Sequence, residues 1–124
     1  VSATGTNANI NLDVNSKGTG SIKIKKAAYS AVTLTSDTVA ASAMDSATFI
    51  IGNKGTAIAA TLGDGTTVGE YKIFTNKGAG AMTVTPSNFA QGTSFALAQN
   101  DGCQCVWDGA NWFLIGNQGE ITLA

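Results

Sequence analysis

The oxygen-bearing side chains best suited to hold a metal ion lie in one loop. Asp64 and Glu70 flank the hydroxyls of Thr66 and Thr67, and a hard cation such as calcium takes oxygen ligands of this kind. The residues lack the regular spacing of an EF-hand, however. The loop is therefore better interpreted as a solvated connection, and the sequence predicts no metal site.

Two cysteines, Cys103 and Cys105, are the remaining residues with metal-binding or redox chemistry. On a strand, residues two apart point to the same face, and a disulfide between them would be strained. Two thiolates alone do not complete a zinc site, which takes four ligands. The favoured interpretation is a pair of small buried side chains beside Trp107. An interchain disulfide, or a metal shared across a symmetry axis, are the alternatives.

Catalytic chemistry is poorly supported by the composition. The chain has no histidine, which removes the commonest general base and the usual partner of a serine or cysteine nucleophile. The glycine pairs at positions 18 and 20, 63 and 65, and 78 and 80 lack the remaining residues of a phosphate-binding loop. We therefore predict that the protein is not an enzyme, has no catalytic residues and binds no cofactor.

Aromatic side chains could form a platform for a sugar. Trp107, Trp112 and Tyr71, with Tyr29, supply faces on which the CH groups of a glycan could stack. The two tryptophans also flank a turn, and cross-strand core partners have the same spacing. We favour core partners for the two tryptophans and keep the glycan contact as the alternative.

Composition restricts the class of protein further. The 124 residues suit a single domain, with seven basic residues, eight acidic residues and a net charge of −1. All seven basic residues are lysines, and a nucleic-acid-binding protein usually shows an arginine-bearing basic stripe. No run of about 18 apolar residues could cross a membrane as a helix. We expect neither a nucleic-acid nor a membrane partner.

Short apolar runs separated by glycine-bearing turns predict an all-β fold. The clearest example lies near the C-terminus, where residues 108–111 (Asp-Gly-Ala-Asn) join strands at 103–107 and 112–116. Pro86 ends another strand at 82–85, and residues 56–62 fit a strand better than a helix. Ten or eleven strands, with no convincing helix of ten residues, indicate a jelly-roll-like sandwich or barrel.

An N-terminal segment carries its own apolar pattern. Strict alternation at residues 8–14, a turn at 15–20 and renewed alternation to residue 25 predict an extended β-hairpin. We therefore divide the chain into an arm, residues 1–26, and a sandwich domain, residues 27–124. A lone hairpin is marginal in water, so its apolar face should cover the protein's own sandwich or another chain. We favour another chain, with an interface formed by Ile10, Leu12, Val14, Ile22 and Ile24.

Several of these segments resemble bacteriophage virion surface proteins, both capsid decoration proteins or head fibres and tail-fibre β-modules. The similar residues are 71–74, 76–80, 83–86, 97–102 and 106–112, and the runs Asn9 to Leu12 and Lys17 to Gly20 in the arm. Cys103-Gln104-Cys105 and Ser16 depart from the pattern.

This resemblance implies a non-enzymatic structural protein on the outer surface of a virion. It would decorate or cement the capsid as a homotrimer, with the major capsid protein or another virion protein as partner. The alternative is a tail-fibre or receptor-binding module that recognises a host surface glycan.

Overall fold

A computed structural model describes residues 11–124, in which every strand lies between Ala31 and Leu123. A 3₁₀ turn at Ala41–Ala43 follows the second strand. The ten strands are β1 (Ala31–Leu34), β2 (Thr38–Val39), β3 (Phe49–Gly52), β4 (Ile58–Leu62), β5 (Tyr71–Asn76), β6 (Met82–Pro86), β7 (Phe95–Leu97), β8 (Gly102–Trp107), β9 (Trp112–Gln118) and β10 (Thr122–Leu123).

These strands form two five-stranded sheets packed face to face, which confirms the predicted sandwich. The first sheet has the order β1-β3-β5-β8-β9 and the second has the order β10-β7-β6-β4-β2. The strands of residues 11–124 leave both sheets open, so the barrel alternative is not formed.

The first six strands wind alternately between the two sheets. As a result β1, β3 and β5 are parallel neighbours in the first sheet, and β2, β4 and β6 are parallel neighbours in the second. Parallel neighbours need a long crossover, and here the strand in the opposite sheet is part of each crossover. Each of the last four strands, β7 to β10, joins its sheet antiparallel to the strand beside it. A jelly roll is antiparallel throughout, so the pairing differs from the jelly-roll expectation.

Alternation along the strands fills the space between the sheets. In β4 and β6 the inward positions, among them Ile58, Leu62 and Val84, are fully buried. Phe74 of the first sheet and Phe95 of the second meet edge to face in the centre. Burial of each large apolar side chain contributes about 1.5–3 kcal/mol, so this shared core holds the sheets together.

The turns of the winding stack closely on one another. A Cβ atom at Gly80 would overlap the backbone of Thr56 in the preceding turn, so only glycine fits there. Asn76 is buried beside this contact and donates hydrogen bonds to the carbonyls of Gly80 (2.8 Å) and Leu97 (2.9 Å). The asparagine thereby ties the winding to β7.

The two outer faces of the sandwich differ in chemistry. The first sheet presents large apolar side chains to its outer side, whereas the second presents only small side chains. The outward residues of the first sheet include Phe49, Ile51, Tyr71, Ile73, Val106, Phe113 and Ile115. Those of the second are Thr38, Ala59, Thr61, Thr83, Thr85, Ala96 and Thr122.

Residues 88–91 cover the outer edge of β9. Trp112 exchanges backbone hydrogen bonds with Asn88 and Ala90, at 2.9 and 3.0 Å. The side chain of Gln91 then pairs with the backbone of Leu114, accepting from its N–H at 2.6 Å and donating to its carbonyl at 3.4 Å. An unpaired edge is a template for another strand. Residues 88–91 occupy this edge at Trp112 and Leu114, in the first half of β9.

The predicted N-terminal hairpin is the part of the fold that differs most from expectation. Residues 11–30 contain a turn at Lys17–Gly20 but no strand, so the two flanking segments do not form a ladder there. The first ten residues lie outside the described part. A two-stranded ladder is marginal unless something covers its apolar face, and within residues 11–124 the four described apolar side chains of this segment are exposed. The division between arm and sandwich stays a prediction.

Candidate functional site

The arm presents its apolar side chains to solvent. Leu12, Val14, Ile22 and Ile24, four of the five predicted interface residues, are between 51% and 68% exposed. Ile10, the fifth, lies outside the described residues. Aliphatic side chains exposed in this number on one short segment are typical of a surface that another molecule covers.

The arm adjoins the sandwich at one end of the first sheet. Ile24 and residues 27–29 line a depression of about 330 Å³ beside Tyr71. Nearer the start of the arm, the side-chain oxygen of Asn11 accepts a hydrogen bond of 3.3 Å from the hydroxyl of Thr67. Both contacts lie at the start of β5 or just before it, so the described part of the arm meets the sandwich at that end of the first sheet.

The two tryptophans are buried, which corrects their predicted role as glycan contacts. Trp107 and Trp112 are direct cross-strand partners, with ring centroids 5.4 Å apart, and are 5% and 0% exposed. The indole of Trp112 donates a hydrogen bond of 2.8 Å to the carbonyl of Gly63. Neither ring has a free face for a sugar, because both are packed in the core, where Gly65 lies against Trp107.

Of the predicted glycan contacts, only Tyr71 reaches the surface. It is half-buried at the start of β5, and Tyr29 packs against it edge to face at 5.7 Å. Tyr29 is 54% exposed. Where the arm meets the sandwich, this tyrosine pair is the aromatic surface that a ligand could contact.

Both cysteines point into the core, as the favoured interpretation predicted. Cys103 and Cys105 occupy inward positions of β8, are buried and form no disulfide. Hydrogen bonding to Cys103, and then burial, raise the pKa of the Cys105 thiol. The thiolate is the reactive form, so a buried thiol with a raised pKa makes Cys105 a poor nucleophile and a poor metal ligand.

A polar cleft beside the 3₁₀ turn contains a buried lysine that the sequence interpretation missed. Lys72 points inward from β5 and is 4% exposed. Its ammonium group donates hydrogen bonds to the carbonyls of Met44 (2.8 Å) and Ala47 (2.5 Å). Burial lowers the pKa of Lys72. One signal was present in the sequence: Lys72 lies two residues before Phe74, and on a strand these two share a face.

Carboxylates line the same cleft but are engaged within the protein. Glu70 accepts a hydrogen bond of 2.7 Å from the Thr66 backbone, and Asp64 accepts two from Asn88, at 2.9 and 3.0 Å. With Asp45 and Lys72 they surround a space of about 420 Å³. Among residues 11–124, no three metal-ligating side chains are placed to hold an ion.

Comparison with known proteins gives no relative from which to transfer a role. No protein-family model, no curated protein and no solved structure matches the chain. Within the described part, no helix is both long and apolar enough to span a membrane.

Proposed function

We propose that the protein is a non-enzymatic structural protein of a bacteriophage virion, which decorates or cements the outer capsid surface as a homotrimer. The observation that carries the proposal is the arm: its described residues, 11–26, extend from a closely packed sandwich and expose four aliphatic side chains. Such a segment gains stability when a neighbouring subunit buries it. The resemblance to virion surface proteins provides the location and the number of copies.

The test of subunit packing uses the full-length chain. Replacing Leu12, Val14, Ile22 and Ile24 with serine should convert the oligomer to a monomer, because the side chains that neighbours bury are removed. Light scattering measures the mass, and circular dichroism should show that the sandwich stays folded, because all four side chains are exposed in the single chain. Val68→Ser, which removes an exposed aliphatic side chain from a loop, is the matched control. A wild-type protein that is monomeric at every concentration would contradict the proposal.

The location can be tested directly on particles. Antibodies raised against the purified protein should label the outer surface of intact virions by electron microscopy, at many sites over the capsid. Labelling confined to the tail would instead support the tail-fibre alternative, and unlabelled particles would count against both.

The second candidate is recognition of a host surface glycan by a tail-fibre module. The pair of exposed Tyr29 and half-buried Tyr71 favours it, since both rings line one depression and could stack on the CH groups of a sugar. Binding to a panel of bacterial surface glycans should then be lost in Tyr29→Ala and kept in Val68→Ser. Absence of binding by the wild-type oligomer would remove this candidate.

A further inference from the structure

We propose that the outer face of the first sheet is the docking site for the arm of a second copy of this chain. The inference rests on the proposed function, because it names the surface through which the subunits would associate. The acceptor surface is the apolar outer face defined above, and we call it the apolar face. The ligand is the segment of residues 11–26.

The apolar face contains a groove suited to an extended segment. Phe49 and Ile73 lie on one side of Gln104 and Ile115 lies on the other, around an open depression of about 470 Å³. Ile115 is 55% exposed and Phe113 is 38% exposed. Within residues 11–124, only residues of the sandwich line the groove, so residues 11–26 of the same chain leave it open.

The charges of the arm and of the sandwich also favour their association. Residues 1–26 contain four lysines and one aspartate, a net charge of +3, whereas residues 27–124 contain three lysines and seven acidic residues, a net charge of −4. Acidic residues adjoin the strands of the apolar face, with Glu70 before β5, Asp101 before β8 and Asp108 after it. Opposite charges on the two surfaces would steer the arm towards this face.

The dimensions of the arm also fit. Sixteen extended residues reach about 50 Å, whereas the five strands of a sheet span about 20 Å from the first strand to the last. The arm can therefore leave its own sandwich beside Tyr71 and still cross the sheet of a neighbour. The outer face of the second sheet, with only threonine and alanine, offers no comparable apolar contact.

The β9 edge of the sheet is a weaker candidate for the contact. Gln91 and its neighbours already occupy the outer edge of β9 at Trp112 and Leu114. Addition of the arm as a further strand would have to displace them. Packing of its aliphatic side chains on the apolar face requires no such rearrangement.

The decisive experiment compares two lysine substitutions in the full-length chain. Ile115→Lys places a positive charge in the groove, and Thr61→Lys places the same charge at an outward position of the second sheet. We expect Ile115→Lys to weaken self-association at least tenfold by sedimentation, and Thr61→Lys to leave it unchanged. Circular dichroism should show that both variants remain folded, since both side chains are exposed.

Cross-linking then establishes which chain contributes the arm. Equal amounts of unlabelled and ¹⁵N-labelled protein are mixed, allowed to exchange and treated with a carbodiimide that joins lysines to carboxylates in contact. We expect mass spectrometry to show mixed-isotope links between Lys23 or Lys25 and Glu70, Asp101 or Asp108. Links confined to single-isotope pairs would mean that each arm covers its own sandwich, and would overturn the inference.

The outcomes separate this inference from the proposed function. If the serine-substituted arm gives a monomer while Ile115→Lys remains oligomeric, the arm joins subunits through another surface and only the inference fails. If the wild-type protein does not associate, both fail. If Ile115→Lys and the arm variant both give monomers and Thr61→Lys does not, the inference is supported.

Discussion

Phe74 and Phe95 meet edge to face across the interior of the sandwich, with ring centroids 5.4 Å apart and ring planes at 77°. Phe74 belongs to β5 of the first sheet and Phe95 to β7 of the second. Both are fully buried. The contact joins the parallel winding to the antiparallel strands that follow it, so it links the two halves of the fold as well as the two sheets.

This contact should be measurable as a coupling energy. Phe74→Leu and Phe95→Leu should each destabilise the protein, and the double variant should lose less than the sum, by about 0.5–1.5 kcal/mol for the aromatic pair. Denaturant unfolding provides the free energies. Phe113→Leu on the outer face serves as control, because its effect should add to that of Phe74→Leu. Additive effects of Phe74 and Phe95 would contradict a direct contact.

Gly80 should be intolerant of any side chain. Gly80→Ala would bring a methyl group into the backbone of Thr56, which cannot move without separating two turns of the winding. We expect a loss of at least about 2 kcal/mol in unfolding free energy, in the range typical of strained or overpacked sites.

Gly55→Ala is the matched control for this prediction, since nothing lies within 4 Å of its added Cβ. It should be neutral or slightly stabilising, because alanine restricts the unfolded chain. Equal losses in the two variants would show that the turns do not stack as described.

Lys72 should stabilise the 3₁₀ turn through its hydrogen bonds. Lys72→Met leaves the carbonyls of Met44 and Ala47 without this donor, and we expect a loss of about 1–3 kcal/mol near neutral pH. Lys77→Met, at an exposed lysine, should have little effect. Thermal or denaturant unfolding of the two variants gives the comparison.

The same pair of proteins tests the lowered pKa of Lys72. Between that lowered value and the ordinary lysine value of 10.5, the unfolded state binds more protons than the folded state. Stability from this group therefore rises with pH, so the advantage of wild type over Lys72→Met should widen as pH approaches 10.5. A difference that narrows over this range would contradict burial of the ammonium group.

The cysteines should be unreactive until the protein unfolds. Because Cys103 and Cys105 are buried and the pKa of Cys105 is raised, an aromatic disulfide reagent at pH 8 should label neither in the native state and both in denaturant. Ser87→Cys places a thiol at an exposed position and should react at once. The mass of the oligomer should also be independent of reductant. Rapid labelling of the wild type would contradict the core assignment.

The sequence predicted those parts of the fold that depend on neighbouring residues. The turn at Asp108 is one example: its carboxylate accepts hydrogen bonds from the backbones of Ala110 and Asn111, and Gly109 has a positive φ of 105°. The pairing of Trp107 with Trp112 follows from that turn. The strand at 58–62 was also predicted, because glycines bound too short a segment for a helix.

The features that the sequence did not predict depend on distant residues. Parallel pairing of β1 with β3 and β5 has no local signature, since the same alternation fits an antiparallel neighbour. The apolar face was missed for a related reason. Both faces of β5 carry large apolar residues, so the alternation of residue types does not show which face points outward. Lys72 was overlooked because a lysine is usually exposed, and its carbonyl partners lie more than 20 residues away.

The winding of the first six strands also makes the two lateral borders of the sandwich different. Strands β1 and β2 form one lateral border of the sandwich, and both are parallel to their inner neighbours. At the opposite border the chain reverses and Gln91 closes the edge of β9. A tandem duplication of one turn could therefore be accommodated beside β1 and β2 in the existing register, whereas the opposite border would have to be rebuilt. Such a change in width would leave the pair of Trp107 and Trp112, in the strands at the other border, in place.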